Sequence, residues 1–325
     1  MISTGLIKQT AIAALGLGVV TAVSLAAAPV AGAAGEKIAF IQGVQGDGFY
    51  ITMECGVKAE AKKAGATVKT YGPAKFDATL QNPIIASVVA SKPDAIIIAP
   101  NSVDASQKPL ENAAKTSKIV LVDTTVKDPS FAVAEISSNN YAGGQMAGKA
   151  VEGLVPGGGK VLGIGVKPGI STTDARDAGF KAWAEASGGK YTFVGQEYSQ
   201  NEPAIAAQIT TAAIAKNPDL KAIFASNLFS AEGAATGIKQ AGKEGQIVVI
   251  GFDAGPDQVA ALKAGTVQAL IAQKPYTIGT QGVKAAVAAL AGKSVKKKQT
   301  TGFFVITKNN VDTKQGQAAQ YRSSC

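Results

Sequence analysis

The 325 residues carry 32 Lys and Arg against 23 Asp and Glu, a net charge of +9, with 46% hydrophobic and 17% charged side chains. That composition supports buried cores for about two domains of 100–150 residues each and excludes an intrinsically disordered chain. There is no histidine, and Cys55 and Cys325 are the only cysteines, which excludes histidine-based acid–base and nucleophile systems, histidine metal sites, four-cysteine zinc and cysteine-ligated iron–sulfur clusters.

Residues 1–34 differ in kind from the rest. Lys8 is their only charged side chain, Ala11 to Ala28 is almost wholly apolar or small, and Ala31-Gly32-Ala33-Ala34-Gly35 closes the stretch. A charged start, an apolar middle and an A-x-A site describe a secretory signal cleaved near Ala33-Ala34; the competing reading is an uncleaved membrane anchor. No cysteine follows the run to carry a lipid. An exported chain meets an oxidising compartment, where Cys55 and Cys325 can form the single possible intrachain disulfide or stay as two free thiols.

Beyond the leader, short apolar β-rich runs recur: Lys37–Ile41, Thr67–Tyr71, Ala95–Ala99, Ile119–Val122, Val133–Ile136, Val161–Val166, Tyr191–Val194, Ala222–Ala225, Ile247–Phe252 and Val267–Ala272. Helical spacing fills stretches between them, such as Met53–Ala64, Ser106–Thr116, Gly143–Gly153, Asp174–Ser187 and Ala204–Lys216. Strands alternating with helices, and strands apolar throughout, predict an α/β protein with parallel sheets covered on both faces. The series divides near Ser138–Tyr141, before the turn at Pro156-Gly157-Gly158-Gly159. Short crossings, with no low-complexity linker, predict a hinge between two halves.

Polar and aromatic residues gather after the strands. Gln42 to Tyr50 follows the first, Asp123-Thr124-Thr125 the fourth, Ser226-Asn227 the eighth, Asp253 the ninth and Gln273 the tenth. Open α/β sheets bind ligands at these carboxyl ends, although Asp and Asn there also cap helices and build turns. Two tempting motifs fail. Gly143 to Lys149 matches the spacing of a phosphate loop, but Ala150 replaces the metal-binding hydroxyl and the stretch reads as helix. The glycines at 157–159 precede a strand, whereas a dinucleotide fingerprint follows one. The basic run of Lys293, Lys296, Lys297 and Lys298 has no interleaved aromatics, so it reads as a solvated patch and nucleic acid is not an expected partner.

From Lys37 to about Lys308 the chain resembles the bacterial periplasmic sugar-binding proteins of the ribose-binding type, the receptors of ABC importers. The resemblance runs through Asp47-Gly48-Phe49-Tyr50, Asp123, Arg176 in Arg176-Asp177-Ala178-Gly179-Phe180, Asn227, Phe252-Asp253 and Gln273. It implies two similar doubly wound α/β lobes with parallel sheets, joined by a hinge, with the ligand in the cleft between them. The implied lobes are 35–138 with 274–301, and 139–273 with 302–325. The implied ligand set is Asp47, Phe49, Tyr50, Asp123, Ser138, Arg176, Asn201, Asn227, Phe252, Asp253 and Gln273, with no cofactor, no metal and no catalytic residue. Carboxylates beside amide and guanidinium donors suit an uncharged polyol, whose hydroxyls both donate and accept. Phe49, Tyr50 and Phe252 would cover its C–H faces.

The chain departs from the ribose-type pattern at Thr124, Ala99 and Asn201, which stand where the family has an arginine, an asparagine and an aromatic, and at Asn227-Leu228-Phe229. A different monosaccharide or an acyclic polyol therefore stands beside ribose as the expected ligand. The expectation is a monomeric exported receptor serving an ABC permease. A receptor for a sugar-like furanose autoinducer, and a glycosidase using a carboxylate pair such as Asp123 and Asp253, are the alternatives.

Overall fold

The structure, a computed structural model, describes residues 35–325; the expected signal at 1–34 lies outside the described residues. In chain order the first series is β1 (Lys37–Ile41), α1 (Gly48–Ala64), β2 (Thr67–Tyr71), α2 (Ala78–Ala90), β3 (Ala95–Ile98), α3 (Gln107–Ala113), β4 (Lys118–Val122) and β5 (Ala134–Ser138). The second is α4 (Asn140–Leu154), β6 (Gly159–Gly165), α5 (Ser171–Glu185), β7 (Tyr191–Tyr198), α6 (Pro203–Lys216), β8 (Leu220–Ala225), α7 (Leu228–Gln240), β9 (Val248–Phe252), α8 (Pro256–Ala264) and β10 (Ala269–Ala272). The chain then returns through α9 (Pro275–Leu290), β11 (Lys298–Thr301), β12 (Phe304–Thr307) and α10 (Lys314–Ala319).

The strands form two six-stranded sheets of the same design, ordered β11-β5-β4-β3-β1-β2 and β12-β10-β9-β8-β6-β7. Each order doubles back between its first strand and the strand two places on, β1 and β3 or β6 and β8. Such a switch point opens a crevice at the carboxyl ends. Strands apolar at every position are explained by two-sided burial. Ile38, Phe40, Ile97 and Val120 feed one core, while Ala39, Ile41, Ile96 and Ile119 feed another on the opposite face of the same sheet. In the second sheet Leu162, Ile223 and Val249 join the first core, and Phe224, Ile250 and Phe252 pack beneath α4 and α5. Helices on both faces of mostly parallel sheets make two α/β lobes.

The structure corrects the sequence reading in three places. β11 and β12 were not among the expected strands, because Lys298–Thr301 is polar and only partly buried and Phe304–Thr307 is only four residues long. β12 runs antiparallel to β10, so the second sheet is not wholly parallel. Lys297 is not simply solvated: its Nζ donates to the carbonyls of Pro129 (2.9 Å), Ser130 (3.1 Å) and Ala132 and so ties the β4–β5 loop to β11.

Three segments pass between the sheets: β5 to α4, β10 to α9, and β11 to β12. Their ends are knitted together. Ser138 Oγ donates to Gln273 Oε1 at 2.7 Å and lies 3.2 Å from Thr301 Oγ1. The glycines of the false phosphate loop have a packing role within α4. A Cβ on Gly144 would strike the Arg176 backbone and one on Gly148 the Trp183 ring, so α4 and α5 meet at a spacing that only glycine allows. At the carboxyl terminus Cys55 and Cys325 form a disulfide, with Cα atoms 5.3 Å apart.

Candidate functional site

The carboxyl ends of both sheets converge on one cavity. Its wall comprises Asp47, Phe49, Tyr50, Phe76 and Asp123 from the first lobe, and Val166, Ile170, Thr172, Thr173, Arg176, Asn201, Asn227, Asp253 and Gln273 from the second and its crossing. Asp47, Asp123 and Asp253 are only 7%, 7% and 4% exposed, so the lobes stand closed over it.

On the first lobe, Asp47 caps α1, its Oδ1 accepting from Phe49 N at 2.8 Å, which aims the first turn of the helix into the cavity. Gly43 permits the close approach: a Cβ there would overlap Tyr50 and Phe76. Tyr50 donates its phenol proton to Asp123 Oδ2 at 2.8 Å. Thr124, where the ribose-type pattern has an arginine, turns away and donates to Pro100 O at 2.7 Å.

The second lobe repeats the strand-ending aspartate. Asp123 after β4 and Asp253 after β9 have φ of 60° and 77°, and each donates its backbone N–H to the neighbouring strand, at Ile136 O (2.9 Å) and Ile271 O (3.0 Å). A left-handed backbone at a non-glycine residue is costly and concentrates at functional sites; here it turns both carboxylates off the sheet ends. Asp253 Oδ1 accepts from Gln273 Nε2 at 2.7 Å and from the Tyr321 hydroxyl at 3.0 Å.

Arg176 is 3% exposed and held on three sides. Nε donates to Asn140 Oδ1 (2.8 Å), Nη1 donates to Ser226 O (3.0 Å), and the guanidinium stacks 3.9 Å from the centre of the Phe252 ring. Asn227 Nδ2 donates to Asn201 Oδ1 at 2.6 Å, and Asn201 too is left-handed, with φ 64°.

The electrostatics follow from enclosure. Burial, reinforced by the charge of Asp253, pushes Asp47 up to about 8. Burial pushes Asp123 up to about 6 against the pull of Arg176. Asp253 is also raised by burial, opposed by Arg176, Gln273 and Tyr321. Three carboxylates around one guanidinium, all withdrawn from water, call for hydroxyl donors. Among the described residues no group of three or more Cys, Asp and Glu side chains is arranged to hold a metal ion.

Of the expected residues, Asp47, Phe49, Tyr50, Asp123, Arg176, Asn201, Asn227, Asp253 and Gln273 line the cavity. Ser138 and Phe252 do not. Ser138 hydrogen-bonds Gln273 in the network joining the three crossings, and Phe252, fully buried, stacks against the Arg176 guanidinium. Phe76, Val166, Ile170, Thr172 and Thr173 were missed. The hydroxyl run Ser171-Thr172-Thr173, between a strand end and Arg176, was the available signal for the threonines. Thr173 Oγ1 is buried without a partner, whereas Phe76 sits in a loop with no pattern to mark it.

Comparisons with known proteins agree with this fold. The family profile described as periplasmic binding protein domain matches residues 38–294. The ribose import binding protein RbsB of Bacillus subtilis is 30% identical over 250 residues, 77% of this chain and 80% of that protein. Among solved structures, an ABC transporter solute binding protein from Agrobacterium vitis bound with alpha-D-tagatopyranose is 38% identical with a TM-score of 0.86, covering 88% of this chain and 99% of that one. A second from the same organism, with bound D-fucose, is 32% identical with a TM-score of 0.83, covering 88% and 100%. With two matching lobes, one inter-lobe cavity and a family match over most of its length, this chain belongs to the periplasmic binding protein family.

Proposed function

We propose that the protein is an exported receptor that captures a monosaccharide or small polyol between its lobes and hands it unchanged to an ABC-type importer. One observation carries this reading: two strand-ending aspartates, one from each lobe and both left-handed, share a closed cavity with Arg176. Neither lobe completes that set alone, so capture requires closure. Residues 35–138 with 274–301 would form one lobe and 139–273 with 302–325 the other, moving about Ser138–Asn140, Gln273–Pro275 and Thr301–Phe303. The apolar walls, Phe49, Tyr50, Phe76, Val166 and Ile170, would meet C–H faces while the carboxylates, amides, Thr172 and Thr173 meet hydroxyls. Relatives whose names record ribose, tagatose and fucose support a sugar without selecting one. We assign the mature protein to the extracytoplasmic side as a monomer.

A thermal-shift screen against D-ribose, D-tagatose, D-fucose, D-allose and acyclic polyols tests the reading. A sugar at 100 times its Kd adds about 2.7 kcal/mol, an upward shift of several degrees for a protein of this size. Recovery of that sugar unaltered after incubation supports a receptor. Hydrolysis of glycosides, or no shift with any member of the panel, counts against it.

A further inference from the structure

The last five residues connect the two lobes a fourth time. Tyr321 is anchored on the second lobe, its N–H donating to Ala254 O at 2.9 Å. Its hydroxyl accepts from Gln273 N at 2.9 Å and donates to Asp253 Oδ1 at 3.0 Å, and its ring lies 5.9 Å from that of Phe49. One residue later Arg322 N donates to Thr52 Oγ1 of α1 at 2.7 Å, and Cys325 closes the disulfide to Cys55 on the same helix. Arg322 to Cys325 are exposed and belong to no helix or strand. An irregular exposed segment with so few buried contacts opens locally unless something ties it down.

We infer that Tyr321 is a positioning residue for the ligand carboxylate of Asp253, and that the Cys55–Cys325 disulfide holds it in place, so the redox state of this bond sets ligand affinity. The inference rests on the receptor reading above. The strap runs beside Gln273, in one of the three crossings, so it is compatible with lobe movement while fixing where the phenol sits. A dithiol reductant opens it: two electrons and two protons convert the disulfide into two thiols, and the reductant leaves as its cyclic disulfide. The freed tail then releases Tyr321, and Asp253 loses one of the two donors on its Oδ1. Protein that has not been oxidised after export should therefore bind its ligand weakly.

The link is reciprocal. Whatever factor reduction takes from sugar affinity, bound sugar must return by stabilising the disulfide. The test titrates D-tagatose into oxidised wild type, dithiothreitol-reduced wild type, Cys325→Ser and Tyr321→Phe. Losing a hydrogen bond to a charged group predicts about tenfold weaker binding in the last three, with no further loss when Tyr321→Phe is reduced. Saturating sugar should lower the potential of the wild-type disulfide by about 30 mV, the equivalent of tenfold for two electrons. Equal affinities and an unmoved potential would overturn the inference. Failure of oxidised wild type to bind D-tagatose or any other sugar of the panel sinks the receptor reading instead, and the strap is then decided without ligand. The Gln273 amide, which donates to Tyr321, should exchange faster with deuterium in reduced protein and in Tyr321→Phe. Unchanged exchange in both overturns the strap.

Discussion

Asp253 sits at φ 77°, where an alanine would be strained but an asparagine is tolerated. Asp253→Asn is therefore the informative substitution, since it keeps the turn and removes only the charge. A hydrogen bond to a charged group is worth about 1.5–3 kcal/mol, so affinity for the captured sugar should fall roughly 10- to 150-fold by calorimetry. The melting temperature of the ligand-free protein should hold or rise, because burial already disfavours the Asp253 carboxylate. Binding within threefold of wild type would mean that Asp253 does not touch the ligand. At this scale sequence reading located the strand-ending carboxylates and Arg176, whose neighbours along the chain announce them. Ser138 and Phe252, also expected there, do not line the cavity; for Phe252, adjacency to Asp253 in sequence does not say which side of a strand faces the cleft.

Among the elements, α4 and α5 decide where Arg176 points. The helices touch backbone to backbone at Gly144, where a methyl group would collide with the Arg176 carbonyl. Gly144→Ala should destabilise the protein by about 1–3 kcal/mol as an overpacked contact, read as a lower urea midpoint at unchanged slope. It should weaken sugar binding as well, because the displaced peptide belongs to the arginine itself. Loss of stability with wild-type affinity would show that α5 shifts without moving the guanidinium. The strands of the interior were legible because burial on both faces demands unbroken apolar runs, as in Ile96-Ile97-Ile98. β11 was not, since Lys298–Thr301 pairs only with β5 at the sheet margin and has no apolar run to betray it. β12 follows after two residues and reverses direction against β10, which single-strand patterning cannot foretell.

For the molecule as a whole, closing the lobes buries carboxylates whose ordinary value is 3.8 and pushes Asp47 to about 8 and Asp123 to about 6. A raised value means that the closed, ligand-free form holds more protons than the open one between pH 4 and 8. Its stability therefore falls as pH rises through that window and is recovered as pH falls. The ligand-free radius of gyration should accordingly be smaller at pH 5 than at pH 8; an equal or larger radius at pH 5 would contradict the buried-carboxylate account. The division into two like halves was readable from the repeated strand–helix series, whereas the bounds near 138, 274 and 302 came only with the family resemblance, since the strands on either side of residue 302 carry no sequence signal. The Cys55–Cys325 pairing was one of the two options the sequence left open, but the Tyr321–Asp253 contact was not readable, because only the fold brings the two together.

Capture between two lobes is tested most directly by small-angle scattering at pH 8, where the ligand-free lobes should be most open, with and without a saturating concentration of the sugar that gives the largest thermal shift. The radius of gyration should fall on binding to the value calculated from the closed structure. An unchanged radius at demonstrated saturation would place the ligand somewhere other than the cleft.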